Sequence, residues 1–149
     1  MNKRQKAILI KIITVTVVTT IAVIAMLNVK DLINRSEAMR AMKHLGREVL
    51  EYKQAHGSLP SEFYVHSIER KLEGYARLGK LYYRALWLDF DSTPDEILAY
   101  SEKKYRSLFL DDGYVVLRFD GRVEWMGKQE FETLLSQQQT PMEIQMLRE

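Results

Sequence analysis

The chain has 149 residues, with 22 Lys and Arg set against 20 Asp and Glu, and a net charge of +2 is too near zero to argue for nucleic acid. It has no cysteine, which excludes a disulfide framework, a thiolate nucleophile and a Cys-based metal site. Beyond an apolar N-terminal stretch about 120 residues remain, enough for one small domain with a modest core and not for two.

Residues 1–6 form a basic leader carrying Lys3, Arg4 and Lys6. Residues 7–29 follow with Lys11 as their one charge, which meets the requirement of about 20 apolar residues for crossing a bilayer. The β-branched run 12–21 would favour a strand in water. Lipid offers backbone groups no outside partner, so a lone segment there must be a helix. Thr14, Thr16, Thr19 and Thr20 are tolerated because each hydroxyl can bond to a carbonyl one turn earlier, and Lys11 can snorkel to the headgroups. A cleaved signal peptide has an apolar region of about 7–15 residues with a small-residue exit, whereas here Met26 and Leu27 continue the apolar pattern. The stretch therefore reads as a retained transmembrane helix. The basic leader places the N-terminus in the cytoplasm and the bulk of the chain outside, although Lys30, Arg35, Arg40, Lys43 and Arg47 also follow the span.

No Gly or Pro occurs before Gly46, so the same helix is expected to run on to Ala55, a rod of about 70 Å. Ala38, Met42, Leu45, Val49 and Tyr52 recur at spacings of four and three, an apolar stripe on an otherwise charged cylinder. The seam is barely two heptads long and rich in Ala and Met. It suits docking against the chain's own strands better than a coiled-coil dimer. Gly57 and Pro60 stop the helix. Residues 61–79 read as irregular with a helical turn or two, interrupted by Gly74 and Gly79.

Beyond Gly79 the period changes to that of strands. Residues 81–88 are aromatic and apolar, 89–94 a turn-rich loop, and 97–100 a short apolar strand. Residues 114–119 and 122–125 flank Asp120-Gly121, which predicts a two-residue hairpin turn with Gly121 at positive φ. Such a turn pairs Phe119 with Arg122 and Leu117 with Glu124, and so puts Val123 and Trp125 on the face away from Val115 and Leu117. A bulge is expected to bring them back, because the alternative leaves Trp125 in water. Residues 127–137 read as a helix with Phe131, Leu134 and Leu135 inward, and 138–149 as a polar tail with a helical turn around Met142 and Ile144. The fold class is α+β: a long N-terminal helix, transmembrane and then amphipathic, packed on a small antiparallel sheet, with a short C-terminal helix. The domain proper spans residues 30–137.

Candidate chemistry is sparse. His44, His56 and His66 are scattered and read as solvated or capping residues rather than ligands. Asp89, Asp91 and Asp95 share a loop and Asp111 and Asp112 precede the hairpin, so this set can offer the oxygen ligands that Ca²⁺ prefers, without the alternate-acid spacing of an EF-hand. Tyr82, Tyr83, Trp87, Phe119 and Trp125 read as core rather than as a stacking platform, since a small sheet covering a long helix needs large side chains. No nucleophile–base pair stands out, which argues against an enzyme.

The order of these elements resembles the type IV pilin and type II secretion pseudopilin architecture: a membrane helix running into an amphipathic one, ended by Tyr52, Gly57 and Pro60, then a small antiparallel sheet. The stretches 97–100 (Ile-Leu-Ala-Tyr) and 113–126, with Asp120-Gly121-Arg122-Val123-Glu124-Trp125 at its centre, are similar to the C-terminal part of G-type pseudopilin-like proteins. The resemblance implies a pilin-like fold and a bacterial inner-membrane protein with a periplasmic domain. It also implies a structural or assembly role in a secretion or pilus system, self-association or pseudopilin partners, and calcium in a loop near the C-terminal strands. Family members also carry a Gly before the apolar run, where a prepilin peptidase cuts, and a Glu within it that aids assembly. This chain has neither. The alternative expectation is a single-pass regulator or accessory subunit whose outer domain binds a partner protein.

Overall fold

The computed structural model describes residues 2–88, 92–107 and 109–146. Helix α1 (Lys3–His56) is continuous over 54 residues, about 80 Å at 1.5 Å per residue. Gln5 Oε1 accepts from the Asn2 N–H at 2.9 Å at its start, and Gly57 closes it at φ 72° with its N–H on the Lys53 carbonyl at 2.8 Å. Thr16 and Thr20 donate their hydroxyls to the Ile12 and Thr16 carbonyls, each at 2.9 Å, so these polar atoms are satisfied within the helix.

The two halves of α1 are buried differently. From Ile8 to Val23 its large apolar side chains are 45–64% exposed, whereas Ala38, Ala41, Met42, Leu45 and Val49 are fully buried. The predicted stripe is thus the face that docks on the chain's own sheet, with Tyr52 half-buried at its end. Each of the larger side chains contributes about 1.5–3 kcal/mol by leaving water.

Ser61 caps α2 (Glu62–Glu69) by accepting from the Tyr64 N–H at 3.3 Å, and Gly74, at φ 83°, leads into α3 (Tyr75–Leu78). The segment 61–79 is therefore two defined helices, more regular than its glycines suggest. Four strands follow as an antiparallel meander in chain order: β1 (Leu81–Tyr83), β2 (Ile97–Lys103), β3 (Gly113–Arg118) and β4 (Val123–Gly127). Strand β1 is shorter than residues 81–88 predict. After Arg84 gives its N–H to the Leu98 carbonyl, the chain tightens into a 3₁₀ turn, Ala85–Trp87, because the Arg84 side chain is drawn inward. Strand β2 runs three residues further than its apolar core.

The hairpin between β3 and β4 settles the facial conflict. The Gly121 N–H bonds the Arg118 carbonyl at 3.0 Å, and the Arg118 N–H bonds the Arg122 carbonyl at 2.8 Å. The connection is therefore the three residues 119–121, with Gly121 at φ 89°, and not the two-residue turn the sequence predicts. A three-residue loop of this kind carries its bulge at the αL glycine. Leu117 consequently pairs with Val123 and Val115 with Trp125, which puts all four on the α1 side as the expected bulge requires. The opposite face gathers Val116, Met126, Ile97 and Tyr100 against Phe131 of α4 (Lys128–Gln138). A second bulge in β2, between Ile97 and Ala99, turns Leu98 and Ala99 together toward α1. The result is an α/β/α sandwich that is pilin-like in shape, closed by a last helix α5 (Pro141–Met146).

Candidate membrane and protein-contact surfaces

The apolar half of α1 has no protein cover. The side chains from Ile8 to Val23 make no core, and a continuous apolar cylinder of this size is not a surface that water tolerates on a monomeric domain. It is long and apolar enough to cross a membrane.

At the other end of the rod, about 40 Å from residue 29 along the helix axis, Lys53, Leu59, Pro60, Tyr83, Leu88 and Phe119 line a groove of about 390 Å³. Tyr83 gives its hydroxyl to the Pro60 carbonyl at 3.1 Å, and burial pushes its phenol well above the ordinary tyrosine value. Lys53 Nζ lies 3.8 Å from the Phe119 ring centroid. Leu86 on the rim is 82% exposed, and Phe63, next to the groove-lining Glu62, is 86% exposed. These side chains offer apolar contact and no acid–base pair.

Beside the groove is a polar cleft of about 550 Å³ lined by Glu62, His66, Glu69, Tyr82, Arg84, Tyr100 and Glu143 among others. His66 lies on α2 and is flanked by two acids: Nδ1 is 2.8 Å from buried Glu69 and Nε2 is 3.5 Å from Glu62. His44 likewise faces Glu48 one turn on, at 3.8 Å. His56 sits at the end of α1, its Nδ1 3.0 Å from the Tyr52 carbonyl oxygen and its ring stacked on Tyr52 at 4.1 Å. Beneath the cleft Arg84 and Glu143, 3% and 1% exposed, form a bidentate pair at 2.6 and 2.9 Å. Arg84 also donates to the Ile97 and Gln138 carbonyls, and Gln138 Oε1 accepts the Ile97 N–H at 2.9 Å. Tyr82 and Tyr100 stack at 5.0 Å, and burial pushes the Tyr100 phenol up to about 12.

Of the five aspartates offered for Ca²⁺, the three that are described do not come together. Asp89 and Asp91 lie outside the described residues. Asp95 precedes β2 and Asp111 and Asp112 precede β3; these strands are antiparallel neighbours, so the two groups stand at opposite ends of the sheet. Asp95 pairs with Arg122, and Asp112 Oδ1 accepts the Tyr105 N–H at 2.8 Å, so each already has a structural task. Desolvation raises the Asp120 carboxyl, but the Arg122 N–H at 2.9 Å and its guanidinium at 2.5 Å outweigh it and hold the group below the usual range. Among the described residues no three His, Asp or Glu side chains come together as a ligand group for a metal ion.

Sequence reasoning missed the buried polar set. Lys103, at the end of β2, donates Nζ to the Arg77 carbonyl and, at 2.5 Å, to the Leu78 carbonyl, satisfying the end of α3. Burial lowers its pKa to about 8. A lysine at the end of a strand reads as solvated, and nothing local announces that α3 ends above it. Compared with known proteins, the chain matches no family model, no curated protein and no solved structure.

Proposed function

We propose that this chain is a single-pass membrane protein of pseudopilin-like build, a structural or assembly component that acts through protein contacts made by its outer domain. The observation that carries the reading is the division of one unbroken helix, with its first half apolar and uncovered and its second half serving as the core of the sheet domain. A helix shared in this way holds a folded domain at a fixed height above a bilayer, and the apolar groove with Leu86 and Phe63 is offered to partners at the membrane-distal end. The basic leader orients that domain away from the cytoplasm, and a bacterial inner membrane is the setting the pseudopilin resemblance implies.

A second reading has its own observation. The span contains no acid to pair with a neighbouring subunit's amine and no Gly precedes it, which favours an accessory subunit or regulator that binds one partner without polymerising. Photo-crosslinking in native membranes, with the crosslinker at Leu86 and separately at Val18, tests both. Crosslinks to further copies or to secretion or pilus subunits support the first reading, and one unrelated membrane protein supports the second. Release of the intact chain by alkaline carbonate would overturn the anchor on which both depend.

A further inference from the structure

The loop between β2 and β3 is tied to α1 where the apolar half ends. Ser107 gives its hydroxyl to Asn28 Oδ1, and the Arg106 N–H donates to Asp31 Oδ2 at 3.1 Å. Ser107 Oγ in turn accepts the Phe109 and Leu110 N–H groups at 3.1 and 3.2 Å, which fixes the direction in which the loop continues. Asn28 uses its remaining amide on the Ile24 carbonyl at 2.8 Å. At this height one side of α1 carries Asn28, Lys30, Asp31, Asn34 and Arg35, while Val29, Leu32 and Ile33 on the other are 51–58% exposed. The loop covers the polar face. In doing so it presents Phe109, 78% exposed, close to the end of the apolar half.

The loop is held against the sheet by a ring contact and carries exposed cations. Tyr105 packs on Trp125 with ring centroids 5.6 Å apart, and the Arg35 guanidinium lies 4.2 Å from that ring. Lys104 and Arg106 flank Tyr105 and are exposed, Lys104 with one partner in Glu102 at 3.3 Å, and Lys30 adds a third exposed cation on the helix. Lysine and arginine beside a span attract anionic headgroups.

We infer that this loop, through Lys104, Arg106 and Phe109, is a second membrane contact, which inserts Phe109 among the lipid headgroups of an anionic bilayer and sets Lys104 and Arg106 on their phosphates. It fixes the rotation and tilt of the domain about its single helix, which one span alone leaves free. This inference rests on the membrane-anchor reading, and the test separates the two.

The chain lacks cysteine, so single cysteines carrying an environment-sensitive fluorophore can be placed in the full-length protein at Ile21, Phe109 and Leu86. The protein is reconstituted in phosphatidylcholine–phosphatidylglycerol vesicles holding nitroxide lipids labelled either near the headgroup or deep in the chain. The expected result is loss of emission by the deep quencher at Ile21, by the shallow quencher at Phe109, and by neither at Leu86. The shallow quenching at Phe109 should weaken when the vesicles are pure phosphatidylcholine, or when Lys104→Glu and Arg106→Glu are combined. If Ile21 is deeply quenched while Phe109 emits as in water, the loop contact is wrong and the anchor stands. If Ile21 emits as in water, both fall. Quenching at Leu86 to the same degree as at Phe109 means that the whole domain lies on the surface, and overturns a contact specific to this loop.

Discussion

Gly121 decides the hairpin because two constraints meet at one residue. Its φ of 89° is strained for any L side chain, and a Cβ there would lie 2.5 Å from Leu50 Cδ1 on α1. Gly121→Val is therefore expected to cost about 1–3 kcal/mol, more than an exposed turn would, and a lowered melting temperature of the detergent-extracted protein checks it. Lys103 gives a pH signature of its own. Burial has lowered its folded pKa to about 8, so between pH 8 and the ordinary lysine value of 10.5 the unfolded chain holds more protons than the folded one. Stability should rise with pH across that window and be lost as pH falls through 8. In Lys103→Met this rise should disappear from urea midpoints measured between about pH 7.5 and 9.5. Tyr100 and Tyr105, both pushed up to about 12 by burial, act in the opposite sense and only at higher pH.

Among the elements, α5 shows how a polar segment becomes part of a core. Glu143 is the single charge on that short helix, and it reaches Arg84 across the chain to close the edge where β1 stops and the 3₁₀ turn begins. The bidentate geometry and the extra carbonyl acceptors on Arg84 repay part of the desolvation of both charges. Removing one partner leaves the other charge buried without its counter-charge. Glu143→Ala is expected to destabilise by about 3–5 kcal/mol, and Arg84→Met combined with Glu143→Leu by clearly less, as measured by urea unfolding of the single and double variants.

At the scale of the molecule, the proposed anchor puts the two halves of α1 in different solvents, so they should fail separately. Val49 is fully buried between α1 and the sheet, and Val49→Asp strands a charge there at a cost of several kcal/mol, comparable to the whole stability of a small domain. The expected variant is one whose domain is digested by protease added to spheroplasts while the remaining helix still resists carbonate extraction. The parent domain should withstand the same protease for longer. A variant lost from the membrane together with its fold would mean that the domain, and not the span, holds the chain in place.

Much of the architecture was legible because it depends on period and on local backbone chemistry. The apolar run, the stripe from Ala38 to Val49, the stop at Gly57 and the strand pattern around Asp120-Gly121 each follow from residues near one another in the chain, where spacing alone decides which side chains share a face. Even the need for a bulge could be read, since the alternation of Val123 and Trp125 conflicts with a two-residue turn. The kind of turn could not, because Asp-Gly suits both loop lengths and the choice belongs to the fit of β4 against α1. What only the tertiary structure decided involves partners far apart in sequence: Arg84 with Glu143, Lys103 with the end of α3, Ser107 with Asn28, and the dispersal of Asp95 from Asp111 and Asp112. Polar side chains carry no periodicity that announces burial. Whether one is solvated or enclosed depends on which distant carbonyl or carboxylate the folded chain brings within about 3 Å of it.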